Sequence, residues 1–124
     1  MRTLIVDDTK TLVTLVQIYL MGWGIEFIEA RDGLQGLQKA REYHPDLVIS
    51  DVRMPGMDGF QLCSAIRHEP GLRETPVILL TSLEDDASRE KGARVGATAF
   101  FTKPVTVEAL RNVVAEVLKL PLRK

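Results

Sequence analysis

The sequence lacks several features that mark particular classes of protein. It has one cysteine, Cys63, in 124 residues, which excludes an internal disulfide and a cysteine-rich metal site. Its apolar runs, such as residues 77–80, are far shorter than the ~18 residues that a membrane span needs. Asp7 and Asp8 interrupt the first apolar run too early for a signal peptide. We therefore expect a cytoplasmic protein with no membrane partner.

Net charge is also almost absent. The chain carries 16 basic and 17 acidic residues, a formal net charge of −1. Direct binding of nucleic acid through bulk charge needs a basic protein and is therefore not expected. What the chain does have is 45% hydrophobic residues, enough to form the core of a domain of this length. We assign residues 1–124 to one domain.

Short apolar segments alternate with longer segments of helical periodicity. Candidate strands lie at residues 4–6, 25–29, 47–49, 77–80 and 99–101. Between them, apolar residues recur at spacings of three and four, as on one face of a helix. The pattern predicts five strands alternating with five helices, and hence an α/β three-layer sandwich with a largely parallel sheet.

Two segments depart from the regular apolar pattern. Residues 25–29 include Glu26 and Glu29, which is typical of a strand at the edge of a sheet. Residues 85–95 form the weakest helical segment, in which we expect Ala87, Ala93 and Val95 to be the apolar anchors. Such a helix suits an element that shifts easily, although a merely exposed helix has the same pattern.

Polar side chains follow four of the five predicted strands. In open α/β sheets, ligands bind beyond the carboxyl ends of the strands. Taken singly, an aspartate there is explained by helix capping and a lysine by solvation at the surface. Capping does not explain acids on two strands together with a hydroxyl and a lysine on two others. The set comprises Asp7, Asp8, Asp51, Thr81, Ser82, Thr102 and Lys103.

This set of side chains favours phosphoryl chemistry. Three neighbouring carboxylates repel one another, so a cation is expected. Oxygen ligands without histidine or thiolate favour Mg²⁺, with Mn²⁺ as an alternative. Mg²⁺, a lysine and a hydroxyl donor together can bind a phosphoryl group. A carboxylate among them can act as the nucleophile and form an aspartyl phosphate.

Four separated motifs resemble the receiver domain of two-component response regulators, the CheY-like superfamily. They are Asp7-Asp8, residues 51–59, Thr81 and Lys103-Pro104, and they occur in the family's order along the whole chain. The resemblance implies a flavodoxin-like, doubly wound (βα)5 fold. Its five-stranded parallel sheet would have the order 2-1-3-4-5.

The resemblance also implies a role for each site residue. Asp51 would be the phosphoacceptor, and Lys103 would neutralise the phosphoryl oxygens. Asp8, Asp51 and the backbone carbonyl of Arg53 would bind Mg²⁺ directly, and Asp7 would act through water. The chain would be a signalling switch and not an enzyme that turns over an external substrate.

The resemblance further implies a conformational switch. Thr81 would hydrogen-bond the phosphoryl group and move inward, and Phe100, three residues before Lys103, would fill the space it leaves. The change would reach the face formed by the fourth helix, fifth strand and fifth helix and alter partner binding. The Lys103–Pro104 peptide bond would be cis.

The partners implied are a sensor histidine kinase or a histidine phosphotransfer protein, with a small acyl phosphate as an alternative donor. An unidentified downstream protein would receive the signal, since 124 residues leave no room for an output domain, unless the chain is a fragment of a longer regulator. Residues 96–100 lack the acidic pair of receivers that dimerise through this face, so we expect a monomer or a weak dimer. Phe100 replaces the commoner tyrosine. Arg53 and Leu83 stand where the family tunes dephosphorylation, and they predict a longer-lived phosphoryl group than in the chemotaxis receiver.

Three other functions share the chemistry or the fold predicted here. A haloacid-dehalogenase-like phosphatase also forms an aspartyl phosphate, but it needs an acid where this chain has Arg53. In a flavodoxin-like nucleotide binder, the first loop should attract phosphate, whereas Asp7 and Asp8 repel it without metal. A phosphorylation-independent adaptor could keep the fold, although the complete set of site residues argues against it.

Overall fold

The computed structural model describes residues 1–82 and 86–120. Within these ranges, five strands alternate with five helices along the chain. The strands are β1 (Arg2–Val6), β2 (Glu26–Ala30), β3 (Leu47–Asp51), β4 (Val77–Thr81) and β5 (Ala99–Thr102). The helices are α1 (Lys10–Tyr19), α2 (Gly33–Tyr43), α3 (Gly59–His68), α4 (Asp86–Arg94) and α5 (Val107–Leu118).

The strands form one parallel sheet in the order β2-β1-β3-β4-β5. This confirms the fold class and the strand order that the resemblance implies. Every residue of β3 and β4 is buried, as expected for central strands. β2 lies at the edge of the sheet with Glu26 and Glu29 exposed, so its predicted position is also confirmed.

The core consists of two clusters, one on each face of the sheet. Side chains of a strand point alternately to opposite faces, so neighbouring residues such as Ile78 and Leu79 belong to different clusters. The cluster with Ile78 contains residues of α1 and α5, and the cluster with Leu79 contains residues of α2 and α3. None of the helices in the described ranges has the length and apolarity that a bilayer crossing requires.

Polar caps start the helices close to the carboxyl ends of the strands. Thr9, Asp32 and Thr106 each accept a hydrogen bond from a backbone N–H in the first turn of the helix that follows. Asp58 and Gln61 form a capping box at the start of α3. The helices therefore direct their N-termini toward the same edge of the sheet, where the polar set lies.

The expected anchoring of α4 is wrong for Ala87 and Ala93 and holds in part for Val95. Ala87 and Ala93 are exposed, and within residues 87–94 the buried positions are Ser88 and Gly92. Only Val95, just beyond the helix, packs partly against the core. Gly92 lies against the ring of Phe100, since a Cβ built on it would be 2.9 Å from Phe100 Cδ2. α4 therefore rests on an aromatic ring of β5 instead of burying an apolar stripe of its own.

Candidate functional site

Three carboxylates meet at the carboxyl ends of β1 and β3. Asp7, Asp8 and Asp51 each place one carboxylate oxygen within 4.8 Å of the others. Asp7 and Asp8 follow β1, Asp51 ends β3, and the two strands are hydrogen-bonded neighbours. Asp7 and Asp51 are buried, whereas Asp8 is exposed. The sheet thus brings together the acidic residues that the sequence analysis singled out.

Asp7 is held by the start of α1. Its Oδ2 accepts hydrogen bonds from the Leu12 backbone N–H at 2.8 Å and the Thr9 hydroxyl at 3.2 Å. Its Oδ1 accepts a longer hydrogen bond of 3.3 Å from the Thr9 backbone N–H. Because both oxygens already accept hydrogen bonds from the protein, the geometry suits an indirect role of Asp7 at a metal, through water.

Asp51 forms an ion pair with Lys103. The Lys103 Nζ lies 3.3 Å from Asp51 Oδ2, and the backbone N–H of Lys103 donates to the Thr81 carbonyl at 2.7 Å. The Lys103–Pro104 peptide bond is cis. Burial raises the pKa of the Asp51 carboxyl above its usual value, while the charge of Lys103 opposes this and that of Asp7 adds to it. Without a further cation, the folded protein therefore favours the ionised form of Asp51 less than water does.

The carboxylates fit a hard divalent cation. The cluster offers only oxygen donors, and of its three carboxylates Asp51 forms an ion pair with Lys103. Asp8 and Arg53 line the same open cavity of about 630 Å³ between the β3–α3 connection and α4. A cation and a phosphoryl donor can therefore reach the acidic cluster from solvent. Further lining residues are Met54, Asp58, Phe60 and Lys91.

Gly59 is a site residue that the sequence analysis gave no role. A Cβ on Gly59 would lie 2.5 Å from the Asp51 carbonyl oxygen and 2.8 Å from Val52 Cα. The Gly59 N–H also donates to the Val52 carbonyl at 2.9 Å. Only glycine allows the first turn of α3 to lie this close to the backbone of Asp51. The sequence feature that could have indicated this role is the position of Gly59 directly after the capping residue Asp58, within the motif of residues 51–59.

Thr81 and Phe100 lie on neighbouring strands. Thr81 is buried at the end of β4, and Phe100 is half-buried in β5 opposite Leu79. Residues two apart in a strand share a face, so Thr81 points to the same side of the sheet as Leu79 and Phe100. The ring of Phe100 stacks on that of Phe60, with centroids 6.2 Å apart and planes inclined by 9°. Leu83, to which the resemblance gives a part in dephosphorylation, lies outside the described residues.

Comparison with known proteins decides the family. A sequence model described as the response regulator receiver domain matches residues 3–115 of the chain. The chain belongs to this family. Receiver domains are signalling switches of two-component systems and are not turnover enzymes. The match excludes the phosphatase and the nucleotide binder, whereas a phosphorylation-independent adaptor would share the receiver fold.

Individual relatives support the same assignment. The chain is 34% identical to Protein PilG of Pseudomonas aeruginosa over 110 residues, which are 89% of this chain and 82% of PilG. It is 39% identical to Response regulator PleD of Caulobacter vibrioides over 104 residues, 84% of this chain but 23% of PleD. The structure of the chemotaxis protein CheY4 of Vibrio cholerae superposes with a TM-score of 0.84 at 34% identity, covering 94% of this chain and 97% of that one. The match thus spans most of some relatives and a minor part of others.

Proposed function

We propose that Asp51 is the phosphoacceptor of this receiver domain. The observation that carries the proposal is a buried Asp51 carboxylate that lies 3.3 Å from Lys103 Nζ, beside two further carboxylates. The donor is a phosphohistidine of a sensor kinase or of a phosphotransfer protein. An Asp51 oxygen forms the new bond to phosphorus as the P–N bond of the donor breaks and its electron pair returns to the imidazole. With a small acyl phosphate, the bond that breaks is the one to the acyl oxygen.

Each neighbour has a part in this transfer. Asp8, Asp51 and the backbone carbonyl of Arg53 hold Mg²⁺ or Mn²⁺, and Asp7 acts through water. When bound, the divalent cation offsets the charge of the phosphoryl oxygens. Lys103 offsets part of the same charge from the other side, because its ammonium group already faces Asp51.

The output is a change at the face of α4, β5 and α5. The Thr81 hydroxyl donates to a phosphoryl oxygen, which draws the residue toward Asp51 and leaves space for Phe100 to move inward. Two conformations a few kcal/mol apart are sufficient for such a switch. The position of Thr81 and Phe100 on one face of adjacent strands supports this coupling.

The biological setting is proposed with the same residues. Residues 1–124 form one receiver domain in the cytoplasm, which passes its signal to a downstream protein without binding nucleic acid itself. It is a monomer or a weak dimer, because residues 96–100 lack the acidic pair of receivers that dimerise through this face. Its phosphoryl group outlasts that of the chemotaxis receiver, since Arg53 cannot orient an attacking water as an amide or acid would.

Mass spectrometry of the intact protein tests the central step. Incubation with Mg²⁺ and acetyl phosphate should add one phosphoryl group, a gain of ~80 Da, to the wild type. Asp51→Asn should gain nothing. Asp58→Asn is the matched control, because Asp58 lies in the same connection and asparagine also caps a helix. No gain in the wild type, or an equal gain in Asp51→Asn, would refute the assignment and favour a phosphorylation-independent adaptor.

A further inference from the structure

α4 rests on a pair of stacked aromatic rings. The rings of Phe60 in α3 and Phe100 in β5 are nearly parallel, with centroids 6.2 Å apart, and Gly92 leaves the room that the Phe100 ring occupies under α4. Two cations of the same helix lie over the rings. Arg89 is 5.8 Å from the centroid of Phe100, and Lys91 Nζ is 5.0 Å from that of Phe60. Cation–π contacts of this kind are attractive, so they help to hold α4 over the two rings.

These contacts matter because α4 supplies little apolar surface of its own. Within residues 87–94, the two alanines face solvent, and Ser88 and Gly92 are the buried positions. Neither of these two residues brings a large apolar side chain to the interface. The position of α4 is therefore sensitive to any movement of the two rings beneath it.

One of the rings belongs to the residue that follows Gly59, and Gly59 packs directly against the backbone of Asp51. Phe60 follows Gly59, which has no room for a Cβ against the Asp51 carbonyl oxygen and Val52 Cα. The capping box of Asp58 and Gln61 fixes the same turn of α3. Phe60 itself is 4% exposed, so its ring is held by the surrounding core. A displacement of the Asp51 backbone would therefore move Gly59, and with it Phe60, through a close-packed contact.

We propose that Phe60 is a positioning residue that couples Asp51 to α4 through the Phe60–Phe100 stack. The inference rests on the proposed phosphorylation of Asp51. The path runs from the Asp51 backbone to Gly59, Phe60, Phe100 and then α4, and it does not pass through Thr81. The route through Thr81 and the route through Phe60 meet at Phe100. The route through Phe60 also reaches α4 directly, because Lys91 lies over the Phe60 ring.

Amide NMR of the uniformly ¹⁵N-labelled protein tests this coupling. Spectra are recorded before and after phosphorylation with Mg²⁺ and acetyl phosphate, and the Gly92 and Ala93 amides report on α4. Phe60→Leu should still gain the mass of the phosphoryl group, but it should lose most of the change in chemical shift that phosphorylation causes at these amides. Phe60→Tyr keeps an aromatic ring and should keep that chemical-shift change. Phe101→Leu is the control, because Phe101 packs on the opposite face of the sheet.

The outcomes separate this inference from the proposed function. An unphosphorylated wild type refutes the function itself and, with it, the coupling. A phosphorylated Phe60→Leu with the full wild-type shift overturns the coupling alone. Loss of phosphorylation in Phe60→Leu, or an equal loss of shift in Phe101→Leu or Phe60→Tyr, also overturns it, because Phe60 would then only maintain the site or the core. If the wild type is phosphorylated without any change in the chemical shifts of the Gly92 and Ala93 amides, α4 does not respond to phosphorylation. That result also overturns the coupling.

Discussion

Lys103 and Asp51 form an ion pair, yet the pKa of Asp51 is raised. Nζ and Oδ2 are 3.3 Å apart, and the lysine favours the ionised carboxylate. Burial of Asp51 acts in the opposite direction and is the larger effect, and the neighbouring charge of Asp7 adds to it. The site therefore holds a carboxylate whose charge the folded protein stabilises poorly without a cation.

Asp51→Asn should stabilise the protein when divalent cations are removed. A carboxyl with a raised pKa contributes stability while it is protonated, and this contribution is lost as the pH rises through the folded-state pKa. Above that range, the cost of burying the Asp51 charge lowers the stability of the metal-free fold, and the amide removes that charge. We expect a gain of about 0.5–2 kcal/mol, the size that single stabilising substitutions commonly reach. Thermal unfolding in EDTA at pH 7 measures it.

Added Mg²⁺ provides the control for this stability difference. It should raise the unfolding temperature of the wild type more than that of Asp51→Asn, because the variant has lost one of the three carboxylates. The difference in unfolding temperature between the two proteins should therefore become smaller. An unfolding temperature of Asp51→Asn below that of the wild type in EDTA would contradict the electrostatic account.

Lys103→Met should slow phosphorylation by acetyl phosphate. Removing one group that stabilises developing charge lowers a rate by about 10²–10³-fold. The rate of mass gain in the presence of Mg²⁺ measures the effect. Lys119→Met is the control, because Lys119 lies at the C-cap of α5, at the opposite end of that helix from the site. Equal rates for Lys103→Met and Lys119→Met would show that the ion pair has no part in the transfer.

Gly59→Ala should destabilise the fold through one added methyl group. The Cβ would meet backbone atoms of Asp51 and Val52, which cannot move aside as a flexible side chain can. Overpacking of this kind costs about 1–3 kcal/mol, here measured by urea unfolding. Ser64→Ala changes a half-buried residue of the same helix and should have a smaller effect. The close approach would be disproved by a Gly59→Ala protein as stable as the wild type.

Arg111→Met should loosen the contact between α5 and the end of α1. The guanidinium lies 4.0 Å from the ring centroid of Trp23, and Nη1 donates to the carbonyls of Tyr19 and Met21 at 2.9 and 3.0 Å. We expect a loss of about 1–2 kcal/mol from these contacts together. Because Trp23 is the only tryptophan of the sequence, its fluorescence reports the change.

Arg94→Met is the control for the tryptophan experiment. Arg94 forms an exposed ion pair with Glu90 in α4, and such pairs contribute little to stability. Its loss should leave both the emission of Trp23 and the unfolding midpoint nearly unchanged. An Arg111→Met protein with the same emission and midpoint as Arg94→Met would contradict the proposed contact.

The acidic site was predictable because it depends on a general property of parallel sheets. The carboxyl ends of all parallel strands lie at one edge, so residues that follow strands are brought near each other. Asp7, Asp8 and Asp51 could therefore be grouped from the positions of the apolar runs. Periodicity did not supply the strand order, which places β1 beside β3 and came from the family resemblance.

The anchoring of α4 was not predictable in the same way. Apolar periodicity locates a buried face when the helix supplies the apolar side chains itself. In α4 the apolar partner, Phe100, belongs to β5, and the contacting position of the helix is Gly92. A pattern that counts apolar residues favoured Ala87 and Ala93 instead, and both face solvent.

The sequence by itself determined the alternation of strands and helices and the collection of acids at one edge of the sheet. Both follow from local periodicity and from the polarity of the strands. Only the tertiary structure decided which residues touch across elements: Gly59 on the backbone of Asp51, and Phe60 on Phe100. Phe60 and Phe100 are far apart in the chain, and spacing along a helix or strand carries no information on such pairs. Their contact depends on how closely the helices pack on the sheet, which is set by side-chain volumes throughout the core.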